Sequence, residues 1–370
     1  MNITLISHKY GVSVHDPCCY PLGFLYISAV LKKAGHTVKI LNYNLWDYDL
    51  RKELAGQDIA MFTGFEEFLP LIQKDSAICK ELGVKTVVGG ALATFKPELM
   101  AEYCDLVLKG EAEATIIDVL SKKGVIDCGI VNLDKVPFPD YEGFGIEEYN
   151  KRHSLKYMGV LTSRGCPHKC TFCSHTCNFQ YRKLDDVFSE IDLYRENYGV
   201  ELIVFNDNTF NTNKNRVIKI SQGMESRGIK WSAAFRLDIL DNEMCRVMKS
   251  SCLGVIVGVE SFNQQTLDAM QKRISVEQIV DGLNLLHKHN IPYYGNVLFG
   301  WGGQTSDDIR NDLSIIPGKY NLFPALVRPF IGTTSGKTSL SGDEWLFWDR
   351  AFKENVASRG KYCYPDLGGI

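Results

Sequence analysis

The chain has 370 residues, with 41 Lys and Arg against 44 Asp and Glu, a formal charge of −3. At roughly 150 residues per domain that length implies two domains, or one with a long appendage. The near balance of charge offers no broad field to draw in nucleic acid or anionic lipid, and neither is expected as a partner. An apolar fraction of 45% and a charged fraction of 23% fit a globular chain with a sizeable core. No apolar run reaches the ~18 residues of a membrane span. The opening Met1-Asn2-Ile3-Thr4-Leu5-Ile6-Ser7 reads as a strand rather than a signal peptide. The expected location is cytoplasmic.

Residues 1–131 alternate short β-branched runs with helical patterns. Strands are expected at 3–7, 37–41, 58–62, 85–88 and 105–108, and helices at 22–34, 67–82, 97–102 and 112–121. Such alternation predicts a parallel sheet covered on both faces. Strand ends run into glycine at Val88-Gly89-Gly90 and Leu108-Lys109-Gly110, where open α/β sheets place their ligand crevice. A plain tight turn accounts for each of those glycines nearly as well.

The rhythm breaks over 132–158. Val136-Pro137-Phe138-Pro139-Asp140-Tyr141 is held extended, since each proline disfavours helix at the residue before it, and a linker is expected there. Alternation resumes over 159–330, with strands expected at 159–163, 201–206, 230–235, 254–258, 292–299 and 322–327. Helices are expected at 184–198, 214–223, 242–249, 264–270, 276–289 and 306–313. Six strand–helix units are too few for an eight-fold barrel and suit a partial one, with functional groups where strands end. Over 331–370 the pattern fades into a short extension. Its first six residues read as a loop; farther on, Trp345, Trp348 and Phe352 share one helical face, expected to pack on the barrel, with a lid over the substrate as the alternative.

Most of the twelve cysteines are scattered singly, as small buried hydrophobes are. One group is not: Cys166-Pro167-His168-Lys169-Cys170-Thr171-Phe172-Cys173 follows directly on the first strand of the second domain. Three thiolates in one loop can converge on a metal centre, and both zinc and iron–sulfur clusters favour thiolate. Spacing alone does not separate them. A structural zinc would want a fourth ligand, which Cys177 or His175 could supply. Three ligands on a four-iron cluster would leave one iron open to chemistry.

This loop resembles the CxxxCxxC signature of the radical S-adenosylmethionine superfamily, and ordered companions follow it. Leu202-Ile203-Val204-Phe205-Asn206-Asp207-Asn208-Thr209-Phe210 is similar to the family's second-strand segment, and Ala234-Phe235-Arg236-Leu237-Asp238 to its third. Gly258-Val259-Glu260-Ser261-Phe262, with Lys272 twelve residues beyond Glu260, is similar to the fourth-strand motif. Asn296-Val297-Leu298-Phe299-Gly300-Trp301-Gly302-Gly303-Gln304 resembles the fifth, with Trp-Gly-Gly-Gln where Leu-Pro-Gly-Glu is usual. The resemblance implies a [4Fe-4S] cluster on Cys166, Cys170 and Cys173, with S-adenosylmethionine on its open iron. Phe172 and Ser174, Asn206, Arg236, Glu260, Lys272 and Asn296 would hold that molecule. Within the set, Phe172 would meet adenine, Lys272 or Arg236 the methionine carboxylate, and Glu260 and Asn296 the ribose. A surface ion pair of Arg236 with Asp238, and a solvated Lys272, are the plainer readings of those side chains. Cys177 is expected to stand aside, because ligating the fourth iron would block the cofactor; His168 and His175 are expected to be loop residues.

The first domain resembles the cobalamin-binding domain of one branch of that superfamily. Cys19-Tyr20-Pro21-Leu22-Gly23-Phe24, Val87-Val88-Gly89-Gly90-Ala91-Leu92-Ala93-Thr94 and Lys109-Gly110-Glu111 match its loops, and Pro137-Phe138-Pro139-Asp140-Tyr141 its link to the barrel. The resemblance implies a Rossmann or flavodoxin-like domain with cobalamin across the carboxyl ends of its strands. Pro21, Leu22, Gly23, Gly64, Gly89, Gly90, Thr94, Gly110 and Glu111 would line it. The Asp-x-His-x-x-Gly motif that presents histidine to cobalt is absent: His8, His15 and His36 do not sit in it. The implied activity is methylation of an unactivated carbon, or phosphorus, of a small molecule or peptide, using a 5′-deoxyadenosyl radical and methylcobalamin. A flavodoxin or ferredoxin would donate the electron. Radical rearrangement, cyclisation or epimerisation is the alternative outcome, and a zinc-stabilised binding module without catalysis the alternative class.

Overall fold

A computed structural model of the chain describes residues 1–9, 21–153, 156–174, 178–302, 304–315, 320–327, 332–333 and 340–358. His15, Cys18, Cys19, Tyr20, His175, Cys177, Gly303, most of the 331–336 loop and the side chains of Trp345 and Phe352 lie outside the described residues. The chain divides into two compact units, Met1–Lys156 with Thr176–Arg182, and Tyr157–His175 with Lys183–Ile370. Among the described residues no helix is long and apolar enough to cross a membrane.

The first unit is a six-stranded parallel sheet of β1 (Asn2–Ser7), β2 (Thr37–Asn42), β3 (Ile59–Thr63), β4 (Lys85–Gly89), β5 (Leu106–Gly110) and β6 (Gly124–Gly129), in the order β2-β1-β3-β4-β5-β6. Strands buried on both faces need continuous apolar runs, and β1 shows one: every residue from Ile3 to Ser7 is buried. The strand order turns back at β1, so β1 and β3 part company at their carboxyl ends, the position at which doubly wound sheets bind ligands. Strand β6 was not expected. Its residues are mostly exposed at the sheet edge, so no apolar run marks it. The expected helix over 112–121 shrinks to Ile116–Val119, while Gly90–Phe95 adds a helix that its two leading glycines conceal.

Residues 136–144 pack within this unit. The Asp140 amide donates to the Leu25 carbonyl at 3.0 Å, and its carboxylate accepts from Ser28 Oγ at 2.5 Å and Lys32 Nζ at 2.8 Å. Asn42 Nδ2 donates to the Phe144 carbonyl at 3.0 Å. Farther along the sheet, Asp105 joins β4 to β5 by accepting from the Thr86 amide at 3.0 Å and the Thr86 hydroxyl at 3.1 Å.

The second unit is also a parallel sheet, with strands in sequence order: β7 (Tyr157–Val160), β8 (Leu202–Phe205), β9 (Lys230–Phe235), β10 (Cys252–Glu260), β11 (Tyr293–Phe299) and β12 (Leu322–Leu326). This is the expected partial barrel. Helices Leu184–Tyr198 and Lys214–Arg227 end on Gly199 (φ 61°) and Gly228 (φ 65°), left-handed caps that glycine adopts without strain. Helix Val276–Lys288 opens on a reciprocal capping box between Ser275 and Gln278. On β9, Trp231 is fully buried among Phe205, Phe210 and Phe235, and its indole donates to Ser251 Oγ at 2.9 Å. Trp348 donates to Ser306 Oγ at 3.2 Å, seating helix Gly342–Ser358 within this unit.

Two stability measurements follow. Trp231→Ala removes the largest fully buried side chain and is expected to cost about 3–5 kcal/mol in chemical denaturation. Burial works to raise the Asp105 carboxyl, but the Thr86 amide, Lys123 and the Thr86 hydroxyl outweigh it and hold the group below the ordinary carboxylate range. Its stabilisation is present above the unfolded pKa and disappears as pH falls through the lowered folded value. Asp105→Ala is expected to lose about 1–2 kcal/mol at neutral pH, with a gap to the parent that closes in acid; a gap independent of pH would refute this.

Candidate functional site

In the second unit the cysteine loop leaves β7 at its carboxyl end. Thr171 fixes it by donating its amide (3.0 Å) and its hydroxyl (3.2 Å) to the Met270 carbonyl. The Cys173 amide closes a turn on the Cys170 carbonyl at 3.2 Å. Burial raises the Cys170 thiol while Lys272 and Arg236 pull it back down. Burial also pushes the Cys173 thiol up to about 11, although that residue as a whole is exposed. By contrast Cys79, Cys104 and Cys245 are plain core residues, with thiols that burial pushes up to about 12.

Beside the loop lies a buried ion pair. Glu260 (7% exposed) and Lys272 (5% exposed) meet at 2.8 Å between Oε1 and Nζ. The register slips between Gly258 and Glu260, and Glu260 sits at φ 65°. A bulge of this kind re-aims a side chain where a regular strand could not. Lys272 is flanked by Gln271 (φ 51°) and Arg273 (φ 54°). Left-handed backbone at non-glycine residues costs energy and persists where surrounding structure enforces it, as at functional sites. Gly258 completes the arrangement: a Cβ there would stand 2.5 Å from Glu260 Oε1 and 2.6 Å from Lys272 Nζ.

Arg236, also buried, grips Asp238 through Nε (3.0 Å) and Nη2 (2.9 Å) and reaches the Lys272 carbonyl at 3.0 Å. The Arg236–Asp238 pair therefore exists, but inside the site rather than on the surface. Lys272 is no solvated charge; its ammonium also stands 5.7 Å from the centre of the Phe172 ring. Phe172 packs against Met270, Trp301 and Val327, edge-to-face with Trp301 at 6.1 Å. Where the family pattern has glutamate, Gln304 accepts from the Gly300 amide at 2.7 Å and holds the turn around Trp301. Asn206 is half-buried just past the end of β8, and Asn296 is half-buried in the middle of β11, in register with Gly258. Ser174 is half-buried at the end of the loop.

In the first unit Gly64, Gly89, Gly90, Thr94 and Gly110 gather at the carboxyl ends of β3, β4 and β5. Thr94 Oγ1 donates to the Gly90 carbonyl at 2.8 Å and accepts from the Gly110 amide at 3.1 Å, tying two of these ends together. Gly90 has φ 84°, and a Cβ there would come within 2.5 Å of Thr63 Oγ1, whereas Gly89 and Gly23 face open space. Pro21 starts the first helix and Leu22 is in the core. Glu111 turns inward, accepting from the Val131 amide at 2.7 Å.

His8 was set aside for want of a motif, yet it stands just past the end of β1. Its Nε2 lies 2.9 Å from Asp75, its ring is stacked on Phe62, and its buried Nδ1 has no hydrogen-bond partner among the described residues. Asp75 is 67 positions away, so no local pattern could have revealed the pair. An orphaned imidazole nitrogen and open glycine surface at the switch point fit a large ligand there. The second unit fits a thiolate-bound cluster with a zwitterionic ligand: three thiols in one loop beside two buried cations. Among the described residues no three His, Cys, Asp or Glu groups are set to hold a single ion; a cluster asks less, each thiolate binding a different iron.

Comparison with known proteins bears on both units. The radical SAM superfamily profile matches residues 160–316 and the B12 binding domain profile residues 10–120. An uncharacterized methyltransferase of Pyrococcus horikoshii is 29% identical over 337 residues, covering 78% of this chain and 71% of its own. The cobalamin-dependent S-adenosylmethionine radical enzyme OxsB, solved with aqua-cobalamin, superposes with a TM-score of 0.71 at 19% identity, covering 96% of this chain and 56% of its own. The radical S-adenosylmethionine methyltransferase TsrM of Kitasatospora setae, solved with tryptophan and an S-adenosylmethionine analogue, gives 0.71 at 18% identity, covering 90% and 74%. The chain thus spans just over half of the OxsB chain and about three-quarters of the TsrM chain. Its fold is that of these enzymes, with a B12 binding domain match over residues 10–120 ahead of a radical SAM superfamily match over residues 160–316.

Proposed function

We propose that the protein is a cobalamin-dependent radical methyltransferase acting on an unactivated carbon, or phosphorus, of a small molecule or peptide. The observation that carries this reading is the joining, in one chain, of a cysteine loop set beside two buried cations to a sheet whose carboxyl ends are built for a large ligand. When bound, the cluster with S-adenosylmethionine supplies a 5′-deoxyadenosyl radical and cobalamin supplies the methyl group; the protein's share is binding, orientation and exclusion of water.

Cys166, Cys170 and Cys173 would hold the cluster as thiolates. Lys272 or Arg236, each paired with a carboxylate of the chain, would exchange that partner for the methionine carboxylate. Glu260 and Asn296 accept from ribose hydroxyls, Phe172 and Ser174 flank the adenine side, and Asn206 lies at the neighbouring strand end. Phe172, Trp301 and Met270 form an apolar wall that keeps water from a reactive centre. In the first unit Gly89 and Gly23 leave the backbone open to a close macrocycle, with Gly64, Gly90, Thr94 and Gly110 shaping the strand ends beside it and Pro21 at the helix entrance. A flavodoxin- or ferredoxin-type donor would supply the electron.

The reading is tested on the full chain purified without oxygen and reconstituted with iron, sulfide and cobalamin. A four-iron Mössbauer signature, cobalamin absorbance, 5′-deoxyadenosine release and a product heavier by one methylene are expected. Deoxyadenosine with an isomerised product would point to rearrangement, and a colourless zinc protein that leaves S-adenosylmethionine intact would overturn the reading. Replacing all three cysteines by alanine is expected to abolish iron uptake and deoxyadenosine release together. Gly258→Ala pushes a methyl group into the Glu260–Lys272 pair and is expected to weaken S-adenosylmethionine binding by about tenfold or more, roughly 1.4 kcal/mol. Its iron content should match the parent, and unchanged binding would separate that pair from the cofactor.

A further inference from the structure

Asp207 is 3% exposed, just past the end of β8, and both its oxygens are turned on the exit of β7. Oδ1 accepts from the Thr162 amide at 2.7 Å, and Oδ2 accepts from the Thr162 and Ser163 hydroxyls at 2.6 Å each. A carboxylate this deep is costly unless its lone pairs are filled. Burial drives its carboxyl up and these donors work against that. Thr162 and Ser163 form the root of the cysteine loop, so the buried carboxyl group fixes the direction in which the chain sets out toward Cys166.

Two residues on, Thr209 (5% exposed) brings Oγ1 to 3.4 Å from the Cys166 sulfur. The same hydroxyl donates to the Asn208 carbonyl at 2.9 Å. With its proton turned there, the oxygen meets Cys166 as an acceptor, which a protonated thiol satisfies. A thiolate bound to iron has no proton to give and can only accept. Hydrogen bonds to cluster sulfurs are among the features that set the reduction potential of an iron–sulfur centre.

We propose that Thr209 is a positioning residue of the iron–sulfur centre. Once Cys166 ligates as thiolate, the Thr209 hydroxyl rotates its proton from the Asn208 carbonyl to Cys166 Sγ, while Asp207 holds the loop root in register. The hydrogen bond draws electron density from that sulfur, favours the reduced cluster and raises its potential. No covalent bond changes; the one electron taken up by the cluster comes from an external low-potential reductant. This rests on the cluster reading given above.

The test compares the full chain, reconstituted without oxygen, with Thr209→Val, close in shape without a hydroxyl, and Thr209→Ser, which keeps it. Iron and sulfide content is measured first, then the midpoint of the reduced-cluster signal by electron paramagnetic resonance during titration with dithionite. The expected result is equal iron content, a midpoint in Thr209→Ser matching the parent, and one shifted to more negative potential in Thr209→Val. A Thr209→Val midpoint equal to the parent's, at equal iron content, overturns the proposal and leaves the cluster reading standing. A parent chain that takes up no four-iron cluster brings down both. Should Thr209→Val fail to load, Thr209→Ala is read for the same shift. As a second measurement, an exchangeable deuteron coupled to the reduced cluster is expected in the parent after exchange into heavy water and is expected to weaken in the variant lacking the hydroxyl; an unchanged coupling there also overturns it.

Discussion

A carboxylate and an ammonium with almost no exposure to water have to find one another, and the end of β10 is built around that requirement. Glu260 and Lys272 are charged groups in a place where an unpaired charge would be very costly. Three local features meet there: a slipped register, left-handed backbone at residues 260, 271 and 273, and a glycine at 258 whose missing side chain leaves room for both head groups. Replacing such a pair by packed apolar groups is often neutral or stabilising, so its presence points to chemistry rather than to folding. The cysteine loop leans on the same region, since Thr171 is tied to Met270 and Phe172 lies beside the Lys272 ammonium.

The two units solve one problem twice. A parallel sheet brings all its carboxyl ends to one edge, and the chain loads that edge with glycine, asparagine and paired charges while keeping the strands apolar. In the first unit the reversal of strand order at β1 opens the edge, and His8 with Asp75 stands at the opening. In the second the strands follow in sequence, and the loops after β7, β8 and β9 carry the cysteines, Asp207 and Arg236, while Glu260 closes β10.

What could be read from the sequence depended on distance along the chain. The three cysteines lie within eight residues, and strand ends announce themselves by a run of Val, Ile or Phe followed by Gly or Asn; both were legible. The partners of the charged residues were not. Lys272 and Glu260 each read as a ligand for a cofactor, and nothing local says that they bind one another in its absence. His8 and Asp75, or Thr162 and Asp207, come together only when strands fold side by side. Strand β6 escaped notice because an exposed edge needs no apolar alternation, and helix Gly90–Phe95 because glycine has a low helix propensity. Trp301 and Gln304 read as departures from a pattern, yet the turn they occupy is held by Gln304 on the Gly300 amide.

The cations beside the cysteine loop are already matched: Lys272 by Glu260, Arg236 by Asp238. An anion drawn to either of them meets a cation that already has a partner, and binding there would be an exchange of partners rather than neutralisation of bare charge. Affinity from such an exchange is the small remainder of two large attractions, and dissolved salt, which screens mainly what water can reach, has little purchase on either.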